Sequence, residues 1–427
     1  MSFPRRLVQE KLPGVARFLR RYRAWAPLAR EASGYLLRGD VDQCLRKIHQ
    51  GFVLSIDPIS ALVLRRLGDS LDRDMDHSDL AKVSEQLVST ISGMDAGTDV
   101  ARLLGFSKVM GACGFLSVGD AIREKAKEAA IGRRAASRSG GMARAQALLE
   151  NGALDACAAQ VSRLSRGGVA QPVVEGFSRY LALVDPASKH QARAPGAGML
   201  AAFLTGKSVA VVGPAETGRD QGEEIDRFDH VLRIGFVGLQ SIPASGGART
   251  SGAFYADHKI DALLGGTIPE GFRDLEMFVL ATAKYREQLK LWGIPDEAME
   301  EAAEMGQLFF YTKPNAVQHL VWSCLLNGAG RLKMFNSNLF LSQKYPDGYL
   351  QKTEYRAKGP EMDAPEYLRN WCHSFAFHHN PRAQFSFLQR LVEAQVIEVD
   401  TELSGVLEMD AKTYIARLDQ IYGYANW

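Results

Sequence analysis

Several features are scarce in this 427-residue chain, and each absence removes a class of protein. Its five cysteines (Cys44, Cys113, Cys157, Cys324 and Cys372) are odd in number, widely separated and form no CxxC pair. That excludes a disulfide framework and a cysteine zinc site, and it reads as reduced thiols of a cytosolic compartment. No apolar run approaches the roughly 18 residues that a membrane-spanning helix needs. The first thirty residues lack the long apolar core of a secretory signal. Overall charge is also nearly absent: the formal balance is +2, so composition gives no bias toward nucleic acid. What remains, 46% hydrophobic and 23% charged residues, is a globular composition long enough for two domains.

Local charge is another matter. Arg5, Arg6, Lys11, Arg17, Arg20, Arg21, Arg23 and Arg30 face the single acid Glu10, with Phe18, Tyr22, Trp25 and aliphatic residues between them. The pattern predicts a basic helix, either packed on its own domain or resting peripherally on an anionic membrane surface. Residues 1–192 read as an all-α domain of helical hairpins, a repeat-like platform for a protein partner or for a neighbouring domain. "YLLRGDVDQCLRKI" from Tyr35 and "ALLENGALDACAAQV" from Ala147 share a Leu pair, a Gly and an Asp three residues later. In each, one helix is expected to end at the glycine and a second to begin at the aspartate, which can cap it. "FLSVGDAIREKAKEAAI" from Phe115 reads as a looser copy. "DMDHSD" (Asp74–Asp79) lacks the glycine and terminal glutamate of a calcium loop and reads as a solvated helix start. "GRRAASRSGGMAR" (Gly132–Arg144) reads as a basic surface loop with no aromatic to stack a base.

Residues 193–206 read as a linker, and from residue 207 to 427 the grammar changes to α/β. Apolar strands are expected at SVAVVG from Ser208, HVLRIGF from His230, GAFYAD from Gly252, MFVLAT from Met277, QLFFYT from Gln307 and RLKMFN from Arg331. Strands that are apolar throughout and separated by helices predict a Rossmann-like sheet covered on both faces. In such a sheet, ligands bind beyond the carboxyl ends of the strands.

The first such end is the turn Gly213, Pro214, Ala215, Glu216, Thr217, Gly218. Its glycines have P-loop spacing, but Arg219 and Asp220 stand where the phosphate lysine and magnesium hydroxyl belong, and a carboxylate there repels a triphosphate. Pro214 and Ala215 also break the dinucleotide fingerprint. What survives is a turn that presents backbone N–H groups to an anion, expected at a helix start.

Farther on, Gly222, Ile225, Asp226, Asp229, Val231, Leu232 and Arg233 spell GxxIDxxDxVLR, followed by Gly247, Arg249 and Thr250. From Val209 to Thr250 the stretch resembles the large sialylmotif of the sialyltransferases that use CMP-sialic acid. "KPNAVQHLVWSCLLNGAGRLKMFNSNLFL" from Lys313 resembles the small sialylmotif in layout, and "HSFAFHHNPRAQFSFLQRLVEAQVIEVD" from His373 is similar to the histidine motif. The resemblance covers about half the chain and none of the helical part.

The resemblance implies a bacterial-type, metal-independent inverting transferase that moves sialic acid, Kdo or a related ulosonic acid from a CMP-linked donor. The acceptor would be a glycan or lipid-linked glycan of a surface polysaccharide or lipopolysaccharide, at the cytoplasmic side of a membrane. It implies donor contacts from the turn Gly213–Thr217, from Arg233, Gly235, Arg249 and Thr250, from the helix start at Asn315, and from Asn336. His379 would be the general base, with His378, Asp257 and His258 as further donor or acceptor contacts. No cofactor or metal is expected, because His373, His378 and His379 lack a cysteine or carboxylate to complete a closed set. Asp226 and Asp229 read as structural, and His319 as a structural histidine. Pro214, Gly235 and Asn380 depart from the motifs, which leaves a second reading: a non-catalytic nucleotide- or glycan-binding scaffold with a degenerate transferase domain.

Overall fold

The computed structural model describes residues 100–427, apart from 113, 133–136, 186–195, 197, 257–258, 261–262, 264–265, 267, 343–367, 369–370, 377, 424–425 and 427. The basic amino-terminal segment, the copy from Tyr35 and Asp74–Asp79 therefore lie outside the described residues, as do Asp257 and His258. The chain divides into two compact units.

One unit comprises residues up to Arg134 together with Ala364–His378 and Ile415–Trp427. Helices α1 (Val100–Ala112) and α2 (Leu116–Gly132) form an antiparallel pair here. The glycine read as a hairpin break, Gly119, lies inside α2. A Cβ there would meet the Ser107 carbonyl at 2.7 Å, so its smallness serves close helix approach rather than chain reversal. The α2 start is capped from a distance: Leu116 N–H donates to the Asp419 carboxylate at 2.9 Å. Burial raises the pKa of that carboxyl. Trp371 stacks on Tyr422 with ring centroids 3.9 Å apart.

The second unit, Ala135–Asp363 with His379–Tyr414, holds the sheet. It also includes three helices upstream of the segment read as a linker: α3 (Arg138–Glu150), α4 (Leu154–Arg166) and α5 (Gln171–Val184). The basic stretch read as a loop is therefore helical from Arg138 onward, because Ser137 caps it by accepting from Gly140 N–H at 3.1 Å. α3 ends in a Schellman turn. Gly152 sits at φ +74°, Ala153 N–H donates to Leu148 O, and Gly152 N–H donates to Leu149 O. The hairpin expected at "ENGALD" is thus present, but Asp155 lies in the first turn of α4, where it meets the helix dipole without capping. A short helix α6 (Met199–Leu204) leads into the sheet.

The strands are β1 (Ser208–Val212), β2 (His230–Ile234), β3 (Gly252–Tyr255), β4 (Met277–Leu280), β5 (Met299–Glu301), β6 (Arg331–Phe335) and β7 (Glu398–Val399). They pair in parallel throughout, in the order β5-β4-β3-β2-β1-β6-β7. The central strands are buried almost end to end, as a sheet covered on both faces requires. This is the Rossmann-like α/β architecture expected, with two differences at its edges. QLFFYT is not a strand: Gly306–Leu308 is a 3-10 turn, and Phe309 turns inward to pack on Phe387 at 5.5 Å. The strand β5 lies just upstream, in a polar stretch.

The connecting helices are α7 (Gly222–Asp226), α8 (Arg286–Leu291), α9 (Ala316–Leu326), α10 (Pro381–Glu393) and α11 (Thr401–Leu407). The α3–α5 layer braces α10. Tyr180 donates to Phe387 O at 3.2 Å and stacks on its ring, and Arg390 donates to the Glu150 carbonyl. Among the described residues, no helix is long and apolar enough to cross a membrane.

Candidate functional site

Strand order decides where a ligand can sit. After β1 the chain builds outward through β2 to β5, then returns to place β6 on the other side of β1. The carboxyl ends of β1 and β6 therefore flank a topological switch point, where the connections diverge and leave a crevice. Gly213 follows β1 and Asn336 follows β6.

These two ends are stitched together. Gly213 N–H donates to Phe335 O at 2.8 Å, and Ala215 N–H donates to Asn336 O at 3.0 Å. A Cβ on Gly213 would stand 2.3 Å from Asn336 O, so only glycine lets the strands approach this closely. Thr217 Oγ1 donates to Asn336 Oδ1 at 3.2 Å. Asn336 itself has φ +51°, and its N–H is held by the buried Asp400 carboxylate at 2.8 Å. The other oxygen of Asp400 caps α11 through Leu403 N–H. Pro214 is half-buried, Ala215 buried and Glu216 exposed. The turn does not open a helix, contrary to expectation: α7 begins only at Gly222 and is five residues long.

The next strand end is structural. Arg233 is buried, its Nε donates to Thr250 Oγ1 at 2.8 Å, and its Nη2 donates to the carbonyls of Gly246, Gly247 and Arg249. Burial lowers its pKa to about 10, with Asp226 opposing. Arg249 donates to the carbonyls of Asp226, Phe228 and Asp229, closing the carboxyl end of α7. Apart from the Nε bond to Thr250, these guanidinium bonds go to main-chain oxygens, a task different from the anion contact expected of the two arginines. Asp226 accepts from Ala248 and Arg249 N–H, and Asp229 accepts from Ser208 N–H and Oγ. Both carboxylates are therefore structural. Gly235 has φ +64°, a region that asparagine tolerates best among residues with a side chain.

The other wall comes from the loops entering α9 and α10. Helices that precede parallel strands begin at the carboxyl edge of the sheet, so both starts face the same side as Gly213. Asn315 caps α9 with its own Oδ1, accepting from Ala316 N–H at 2.7 Å. Asn380 caps α10, accepting from Ala383 N–H at 3.0 Å, with Pro381 preset in the first turn. The two caps are tied together. Asn380 N–H donates to Thr312 Oγ1 at 2.7 Å, and His379 Nδ1 lies 3.2 Å from the Lys313 carbonyl. A carbonyl only accepts, so in this bond the imidazole proton sits on Nδ1, and in the neutral ring the lone pair is then on Nε2.

Gln384, Lys313, Thr312 and Asp400 went unpredicted. The one sequence signal for Gln384 was a polar residue between Ala383 and Phe385 on the buried face of an amphipathic helix. His378 is half-buried in the other compact unit. His319 is structural: its Nε2 bonds Ala303 O at 2.9 Å, and burial lowers its pKa. Among the described residues, no group of His, Cys, Asp or Glu could hold a metal ion.

Backbone strain gathers at this edge. Of the five non-glycine residues with positive φ among those described, Asn336, Leu339 and Phe340 follow β6, and Tyr311 precedes α9. Bulky residues in that region are costly, and such costs concentrate at ligand sites.

The fold and this edge together define a Rossmann-like α/β protein with a candidate ligand crevice at the β1/β6 switch point. No family model matches the chain, and no curated protein matches it.

Proposed function

We propose that the chain is a sialyltransferase-type glycosyltransferase that moves an ulosonic sugar from a CMP-activated donor to a glycan acceptor with inversion. One observation carries the reading. His379 Nδ1–H donates to Lys313 O across a separation of 66 residues, so the histidine block meets the block that begins α9. The glycine turn of the third block lies on the same sheet edge, bonded to Asn336.

On this reading the nucleotide lies over the Gly213 turn and Asn336, and its phosphate faces main-chain donors. His379 Nε2 takes the proton of an acceptor hydroxyl as that oxygen attacks the anomeric carbon. The bond from that carbon to the CMP phosphate oxygen breaks on the opposite face, and CMP leaves with the bonding pair. A neutral imidazole that becomes charged during the step suits this role near neutral pH. Lipid-linked glycans, an inner membrane face, and contacts by the basic amino-terminal segment and helical region belong to the same proposal.

A second reading, a non-catalytic nucleotide- or glycan-binding scaffold, is favoured by one finding: Arg233 and Arg249 bond main-chain carbonyls. Calorimetry with CMP and UDP, joined to turnover of CMP-sugars by wild type and His379→Ala, separates the two. The transferase reading expects CMP to bind and the variant to lose about 10²–10⁴-fold in rate. CMP binding without turnover supports the scaffold, and absence of any cytidine nucleotide binding ends the transferase reading.

A further inference from the structure

Gln384 occupies a position that no motif assigned. Its side chain is buried on α10, one turn beyond the Asn380 cap. Its Oε1 accepts from Asn315 N–H at 2.9 Å, and its Nε2 donates to Lys313 O at 2.8 Å. Its main-chain carbonyl accepts from the buried Gln318 side chain at 3.3 Å. One amide group therefore grips both ends of the Lys313–Asn315 segment. The Lys313 oxygen is shared: it accepts from Gln384 and from His379 Nδ1.

From this shared oxygen we infer that Gln384 is the positioning residue for His379, setting the tautomer and aim of the imidazole through the Lys313 carbonyl. The inference rests on the reading of His379 as the base. The physical chain is short. A carbonyl has two lone pairs, so it can accept both donors at once. Gln384 fixes where that oxygen points, and the oxygen fixes which imidazole nitrogen carries the proton. The other nitrogen then presents its lone pair to an acceptor hydroxyl. Because Gln384 also holds the first residue before α9, the base and that helix start move as one body. Lys313 is exposed as a side chain, yet its main chain is bonded from two directions; the task lies in its carbonyl, which any residue type supplies. That explains why no sequence motif marks it.

The test uses the full chain and two variants. Gln384→Met removes both side-chain bonds at similar volume. Gln384→Glu keeps an acceptor for Asn315 N–H but loses the donor to Lys313 O. Long-range ¹H–¹⁵N spectra, with the His379 signal assigned by its loss in His379→Gln, report the tautomer directly. Wild type should show the Nδ1–H form, and both variants a mixture. Turnover should fall about 10²-fold, the loss typical of a misaimed catalytic group. In Gln384→Met the acid limb of the kcat/KM profile should move to lower pH, because a loosened carbonyl no longer favours the imidazolium, whereas the carboxylate of Gln384→Glu pushes it the other way. A merely structural role would lower melting temperature and leave the tautomer and pH profile in place. Wild-type His379 protonated on Nε2, or a Gln384→Glu variant with unchanged turnover and pH profile, overturns the inference. If wild type fails to bind CMP, the transferase reading falls instead, and the tautomer measurement separates the two failures.

Discussion

Replacing Gly213 with alanine tests the switch point at its tightest contact. The new Cβ would lie 2.3 Å from Asn336 O, 3.1 Å from its carbonyl carbon and 3.2 Å from Ser337 Cβ. Ordinary contact begins at 3.4 Å, and the nearest obstacle is main chain, which cannot swing aside. The turn must therefore retreat by about 1 Å, since repulsion at such separations is steep. Retreat stretches the bonds from Gly213 N–H and Ala215 N–H, which are 2.8 and 3.0 Å long. Overpacking costs about 1–3 kcal/mol, and each weakened bond costs up to about 1 kcal/mol. A total near 3 kcal/mol corresponds to roughly 6–12 °C of melting temperature for a unit of this size. The natural control is Gly218→Ala. That glycine has φ +67° with nothing within 4 Å, so its cost is conformational only, about 1 kcal/mol. Scanning calorimetry should therefore rank Gly213→Ala well below Gly218→Ala, and CMP titration should show the larger loss in the former. Equal melting temperatures for the two variants would refute the claim that close strand approach, rather than turn flexibility, demands glycine at position 213.

Three further outcomes follow from the same contacts. Arg233→Met leaves three carbonyls and Thr250 without their donor and should cost about 3 kcal/mol, read by chemical denaturation; a loss under 1 kcal/mol would mean water replaces the guanidinium. Burial depresses the pKa of His319 and of His230, so the unfolded chain binds more protons than the folded one below their ordinary value of 6.5. Stability should consequently fall as pH drops below 6.5, with a shallower slope in His319→Gln, and an unchanged slope would contradict the assignment. Asp400→Ala removes the acceptor for both Asn336 and Leu403 N–H. It should destabilise by about 2 kcal/mol and weaken nucleotide binding together, whereas Asp226→Ala, which frees only the loop at Ala248 and Arg249, should leave nucleotide affinity near wild type.

Much of the architecture was legible because it rests on local patterns. Runs such as SVAVV and HVLRI, short and rich in β-branched residues, have the pattern of strands buried on both faces, and these two pair in register along the sheet. Gly152 and its neighbours mark a helix reversal by the left-handed conformation that glycine adopts without strain. Legibility failed where the signal is weak or shared. QLFFYT has the apolar content of a strand, but its phenylalanines serve as packing for α10. β5 reads MEE and β7 has two residues; edge strands this short carry no apolar signature. Gly119 looks like a hairpin glycine because close packing and chain reversal ask for the same residue.

By itself, then, the sequence determined the parallel sheet and the tight turn after β1, since each rests on a pattern of residues within a few positions of one another. Only the tertiary structure decided which polar groups meet. The Arg233 guanidinium turned to loop carbonyls, Thr217 found Asn336 across 119 residues, and Gln384 joined Asn315 to Lys313 across some 70. Those pairings follow from strand order: placing β6 beside β1 brings the Gly213 turn and the loops before α9 and α10 to one edge. Hydrogen-bond donors and acceptors are common in any sequence, and only the crossover that sets this edge selects among them.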